Sequence, residues 1–175
     1  MSATACKNYS AFALLRDGRS IEIRALRPDD ETQMLEALSR TSLQTLYRRF
    51  FGVKKGFSEG EKAFFLNANF TDHIALVATI RQGNDTVIVG GARYVVAAPG
   101  VAEVALMVVD EFQGNGIGSA LMRHLIFLAK GASIKRLVAD VLPDNTAMLN
   151  VFRKCGLAVA TTKAKGVVHV GLEIQ

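Results

Sequence analysis

Residues 104–109 (Val-Ala-Leu-Met-Val-Val) form an almost unbroken apolar run of strand length, the pattern expected of a strand covered on both faces. Asp110 and Glu111 end it. From Ile117 the spacing changes: Ile117, Ala120, Leu121, Leu125 and Leu128 recur at intervals of three and four, which predicts a helix with one apolar face. Upstream, segments 9–15 and 20–26 flank Arg16-Asp-Gly-Arg19 and read as a β-hairpin, because Asp-Gly supplies the positive φ of a tight turn. Pro28 stops the second strand. Asp29 or Asp30 then caps a helix through Ser39, with Met34, Leu35 and Leu38 facing inward. A second helical piece covers 43–51. A third starts at Ser58, where Glu61 completes a capping-box pattern and Ala63, Phe64, Phe65 and Leu66 turn inward.

Residues 73–81 and 86–96 are rich in β-formers and joined by Gln82-Gly-Asn-Asp85, so they predict a second hairpin, and Pro99-Gly100 turns the chain into the central strand. After the central helix, 136–142 is another apolar strand. It should run parallel to 104–109, because the helix between them makes a crossover. Pro143 ends it, Asp144 or Asn145 caps a helix to about Cys155, Gly156 closes that helix, and 157–163 with 167–174 form a last hairpin. A meander followed by a strand–helix–strand unit gives an α/β (α+β) domain with a mixed, mostly antiparallel central sheet and helices on both faces. With 175 residues and no repeat or linker, the chain reads as one domain over 1–175, with an N-terminal hairpin at 9–26.

Composition narrows the function. No apolar stretch is long enough for a bilayer and no segment has signal-peptide order, so a cytoplasmic protein with no membrane partner is expected. Cys6 and Cys155, near opposite ends, make neither a disulfide framework nor a metal cluster. The net charge of +5 is modest, and only Arg48-Arg49 and Lys54-Lys55 are adjacent basic pairs before the C-terminal third. A nucleic-acid partner would call for a basic stripe with exposed aromatics, which is missing; a polyanionic cofactor needs less. His73, His124 and His169 have no partners at metal-ligand spacing and are read as structural, so no metal is expected.

Between the central strand and its helix, Gly114, Gly116 and Gly118 alternate with Gln113, Asn115 and Ile117, leaving several backbone N–H groups bare at a helix N-terminus, a natural seat for a pyrophosphate. A dinucleotide fingerprint fails at Ser119, and a P-loop lacks its Gly-Lys-Ser/Thr. Gln113-Gly-Asn-Gly-Ile-Gly118 instead resembles the (Gln/Arg)-x-x-Gly-x-(Gly/Ala) signature of the GNAT superfamily of acyl-CoA-dependent N-acyltransferases, and 141–156 resembles that family's later Asn-containing helix. The resemblance implies a single GNAT-like domain with a cofactor-binding core over 102–156, acetyl-CoA as co-substrate, and a parallel strand pair that splays apart. The backbone of Leu106, Met107 and Val108 would then pair with the pantetheine arm, the amides of Gln113, Gly114, Asn115, Gly116, Ile117, Gly118 and Ser119 would hold the pyrophosphate, and Asn145 would bond the arm near its sulfur, besides capping its helix.

Acyl transfer to an amine needs a group to take a proton from the acceptor. Glu103, at the start of the central strand, is the candidate; the alternative is a structural carboxylate paired with Arg93 on the preceding strand. The tyrosine that many family members use as general acid is replaced by Phe152, with Cys155 three residues on. Within the superfamily, Ile23-Arg-Ala-Leu-Arg-Pro-Asp-Asp30, Tyr47-Arg-Arg-Phe-Phe51, Asp72-His-Ile-Ala-Leu-Val-Ala78 and Ala102-Glu-Val-Ala105 resemble the catalytic domain of bacterial protein lysine acetyltransferases. That implies a protein-lysine acceptor and a strand carboxylate acting without the tyrosine. A small-molecule amine acceptor and a non-catalytic acyl-CoA sensor are the alternatives, and the final strands of such a fold suit a homodimer.

Overall fold

The structure, a computed structural model, describes residues 2–54 and 56–174; Lys55 of the Lys54-Lys55 pair lies outside them. The chain opens with a short helix, α1 (Ala3–Lys7), which hydrophobic periodicity does not foreshadow because it is barely more than one turn. Its cap is Ser2, whose hydroxyl accepts from the Ala5 N–H. The expected hairpin follows as β1 (Ser10–Leu14) and β2 (Ser20–Ala25), turning at Gly18 with φ +85°.

A 3-10 turn over Pro28–Asp30 leads into α2 (Glu31–Ser39). Asp30 stands at the cap position, yet its side chain does not cap the helix. It accepts instead from the Arg27 N–H at 2.7 Å and from both terminal nitrogens of Arg24 at 2.7 Å, making a buried ion pair between β2 and the helix start. Burial pushes the Asp30 carboxyl up, but these charged and backbone donors outweigh it and hold it below its ordinary value. Then come α3 (Leu43–Phe50), capped by Ser42, and α4 (Glu59–Leu66), opened by the Ser58/Glu61 capping box. Ala63 and Phe64 are exposed and only Phe65 and Leu66 turn partly inward, because four consecutive residues at 100° each span more than half a helix circumference.

The other elements are β3 (His73–Gln82), β4 (Asp85–Ala98), β5 (Val101–Val108), α5 (Ile117–Gly131), β6 (Arg136–Val141), α6 (Thr146–Arg153), β7 (Ala158–Ala164) and β8 (Val167–Glu173). All strands join one eight-stranded sheet in the order β1-β2-β3-β4-β5-β6-β8-β7. Among the described residues only β5 and β6 pair in parallel; β8 folds back between β6 and β7.

On one sheet face Ile23, Ile74, Leu76, Tyr94, Val104 and Leu106 are buried, and α5 packs against β3, β4 and β5 through Ile117, Leu121, Leu125 and Leu128. Gly90 permits this approach: a Cβ there would lie 3.0 Å from the Met107 carbonyl and 3.4 Å from both Ile117 and Leu121. The opposite face carries α2 and α3. There Glu103 is exposed while Ala105 and Met107 are only half-buried, so β5 is closed on one face, not on both as its apolar run suggested. Alternation along the strand explains the difference: side chains at 103, 105 and 107 line hollows. Among the described residues no helix is long and apolar enough to cross a membrane.

Candidate active site

The parallel pairing of β5 with β6 stops after three residue pairs, Val101↔Arg136, Ala102↔Leu137 and Glu103↔Val138. Both strands continue, β5 to Val108 and β6 to Val141, but apart, which is the expected splay. A cavity of about 360 Å³ fills the opening. Its walls are residues 103–108 of β5, 139–141 of β6, the start of α5 and one face of α6 along its length, with Thr45, Arg48, Arg49 and Phe51 closing it from the α3 side.

Nearly every sequence-nominated site residue meets here: Glu103, Leu106, Met107, Val108, Gln113, Gly114, Gly116, Ile117, Gly118, Ser119 and Asn145 all line the cavity. Asn115 does not. Its carbonyl accepts from the N–H of Arg16, itself a lining residue, at 3.3 Å. Gly114 (φ +80°) and Gly116 (φ +96°) hold the turn in a conformation that L side chains rarely adopt, and no atom lies within 4 Å of where a Cβ would stand. The turn is thus open above the first amides of a fifteen-residue helix.

Neighbouring side chains fix the rim. Gln113 Nε2 donates to the Val108 carbonyl at 3.0 Å, so that carbonyl, expected to be free, already has a partner. Asp110 accepts from the Ser42 N–H at 3.0 Å and from the Thr45 hydroxyl at 3.3 Å; burial raises its carboxyl, but these donors bring it below its ordinary value. Arg48 reaches across the opening to Asp144 at 2.9 Å. Asn145 caps α6 by accepting from the Met148 N–H at 3.2 Å, while its Nδ2 makes no hydrogen bond among the described residues. Arg16, Thr45, Arg48 and Arg49 were not nominated for the site from the sequence, where isolated or paired arginines look like ordinary solvated surface.

Glu103 is the last β5 residue paired with β6, so its carboxylate stands where the strands part. It forms no ion pair with Arg93, whose register partner on β5 is Ala105. The Arg93 guanidinium sits 3.2 Å from His73 Nε2, donates to the Phe65 carbonyl at 3.3 Å, and lies over the Phe65 ring at 4.7 Å. The charge facing Glu103 is Arg49: burial lowers the Arg49 guanidinium and the Glu103 carboxylate pushes it back up. Phe152 is a buried cavity wall, and Cys155, just beyond, is not among the lining residues. Each histidine has a structural partner: His73 stacks on Phe64, His124 Nδ1 meets the Tyr9 hydroxyl at 2.5 Å, and His169 meets Asp140 at 2.6 Å. No cluster of metal-ligating side chains occurs among the described residues.

Comparison with known proteins agrees with this geometry. The model of the Acetyltransferase (GNAT) family matches residues 40–157. The chain is 33% identical over 162 residues to the acetyltransferase Pat of Mycolicibacterium smegmatis, covering 91% of this chain and 47% of that protein. It therefore spans about half the length of that relative. It is 30% identical over 135 residues to the acetyltransferase PA5475 of Pseudomonas aeruginosa, covering 77% of this chain and 73% of that one. Among solved structures it resembles the GNAT domain of S. lividans PAT, with TM-score 0.84 and 29% identity over 94% of this chain and 96% of that one.

Proposed function

The chain belongs to the GNAT acetyltransferase family, whose members are acyl-CoA-dependent N-acetyltransferases using acetyl-CoA as co-substrate, and from that premise we propose that it acetylates protein lysines with Glu103 as general base. The observation that carries the reading is the position of Glu103 at the point where β5 and β6 diverge, exposed to the cavity. On this reading the pantetheine arm enters between the strands and pairs with the β5 backbone at Leu106 and Met107, as an added strand would. The pyrophosphate rests on the amides of the Gln113–Ser119 turn, and the free Nδ2 of Asn145 faces the arm.

The proton inventory then closes. A lysine ammonium gives one proton to Glu103, directly or through one water, and its lone pair attacks the thioester carbonyl. A C–N bond forms, the attacking nitrogen gives its second surplus proton to solvent, the C–S bond breaks, and the coenzyme leaves as a thiolate that takes a proton from solvent. Phe152 offers no proton, which is tolerable because a thiolate is a good leaving group. Support for a protein acceptor comes from the resemblance noted in the sequence and from the exposed apolar side chains of Leu43, Tyr47, Phe51 and Val53 on and just after α3, of which Phe51 lines the cavity.

The test is transfer of labelled acetyl from acetyl-CoA into lysate protein and small-molecule fractions, by the wild type and by Glu103→Gln. We expect label on protein lysines, a turnover loss of about 100-fold or more in the variant, and acetyl-CoA affinity little changed. Label confined to small molecules would overturn the acceptor, and full turnover by Glu103→Gln would overturn the base.

A further inference from the structure

A second hollow of about 80 Å³ opens on the same face of β5 and shares three wall residues, Arg49, Ala105 and Met107, with the main cavity. Its remaining walls are mostly apolar and aromatic, with Met34 and Leu38 of α2, Phe50 of α3, and Phe57 and Phe65. Two guanidinium groups nevertheless border it, Arg49 and Arg93. Among the described residues neither makes an ion pair. Arg93 is held by the His73 ring nitrogen, the Phe65 carbonyl and the faces of Phe64 and Phe65; Arg49 lies over the Phe50 ring at 4.8 Å.

The local charge does not cancel. Arg93 is pushed down to about 9, first by burial and then by Arg49, and still carries its proton at neutral pH. His73 is neutral there, since burial and Arg93 bring it to about 4. Glu103 supplies one negative charge, toward Arg49. Glu103 acts on Arg49 and Asp72 on His73, but no carboxylate offsets the burial of Arg93, and a cation held largely out of water without a paired anion is costly. Nothing in the transfer of an acetyl group needs a second arginine in that position. A guanidinium fixed on aromatic faces, with apolar walls around it, is suited to pair with a carboxylate.

We propose that Arg93 and Arg49 form a carboxylate subsite beside the transfer centre, which takes a carboxylate on a short aliphatic tether. The inference rests on the acyltransferase reading for what sits next door. Two sources share this chemistry: the distal carboxylate of a dicarboxylic acyl group carried on coenzyme A, or the carboxylate of a small acid in the acceptor position. In the first case the reaction balances as for acetyl: the ammonium loses one proton to Glu103, C–N forms, the nitrogen gives its second proton to solvent, C–S breaks, the thiolate is protonated by solvent, and the distal carboxylate remains a spectator held by the arginines.

Equilibrium binding tests this without any acceptor. In the donor arm, calorimetry compares the methylene-for-sulfur analogues of succinyl-CoA and butyryl-CoA on the wild type, Arg93→Gln, Arg93→Lys and Arg49→Gln. A wild-type preference of about tenfold or more for the succinyl analogue, abolished in Arg93→Gln and partly kept in Arg93→Lys, is expected. In the acceptor arm, succinate and β-alanine are titrated into the protein with and without acetyl-CoA; saturable binding lost in Arg93→Gln would support the subsite and assign it to the acceptor. Should Arg93→Gln fail to fold, Arg49→Gln gives the same readout. No carboxylate preference in either arm, or one that survives both glutamine variants, overturns the proposal. Because the acceptor arm also runs without coenzyme, failure to bind coenzyme A would strike the acetyl-CoA premise while leaving the carboxylate readout intact.

Discussion

His73 shows at the scale of one residue how position outweighs type. Stacked on Phe64 at 4.8 Å between ring centroids and 3.2 Å from Arg93, it is held to about 4, below the ordinary histidine value, by burial and then by the arginine. The unfolded chain therefore binds the proton that the folded one refuses. Stability from this site is complete above about pH 6.5 and is lost as pH falls toward 4, by up to about 3 kcal/mol. Urea midpoints between pH 7.5 and 4.5 should show the decline, and His73→Gln should flatten it; an equal slope in both proteins would clear His73 of the effect. The neighbouring charges illustrate what a sequence reveals. Glu103 stands out as the carboxylate near the start of the apolar central strand. Arg49, next to Arg48, looks like half of a solvated pair, and only the packing of α3 over β5 turns one of the two inward.

At the scale of elements, local chemistry was readable wherever the determinant sat within a few residues: Asp17-Gly18 in the first hairpin, the Ser58/Glu61 box, Asn145 at α6, and the three-and-four spacing of α5. It was not readable where the partner is remote. Asp30 follows the rule for a helix cap until Arg24, a neighbour only through folding, claims its carboxylate. The insertion of β8 beside β6 is likewise a pairing choice that no spacing within the last hairpin encodes. The seat of α5 depends on Gly90, and Gly90→Ala should cost about 1–3 kcal/mol by driving a methyl against the Met107 carbonyl, Ile117 and Leu121. Since Ile117 begins the helix beneath the glycine turn, acetyl-CoA affinity should fall as well. A denaturation curve and a binding isotherm on the same sample decide it: lost stability with unchanged affinity would uncouple the turn from the helix packing.

For the whole molecule, the governing feature is a continuous sheet that is open along part of one seam. Three residue pairs join β5 to β6 and the rest of that boundary is cavity, so a ligand in it acts as the missing connection between the two parts of the sheet. Acetyl-CoA at about 100 times its Kd should add roughly 2.7 kcal/mol of stability. Amide exchange should slow most along 104–108 and at the α5 N-terminus; a uniform change, or none, would place the ligand elsewhere. The open seam also separates two kinds of inheritance. One edge of it is main chain, the same whatever side chains stand at 104–108, so point substitutions there do little to erase what that edge recognises. The α3 side of the cavity, and the α2 and α4 walls of the hollow beside it, are built of side chains that can drift. A lineage built on this scaffold keeps its donor almost by default and is free to change its acceptor one residue at a time.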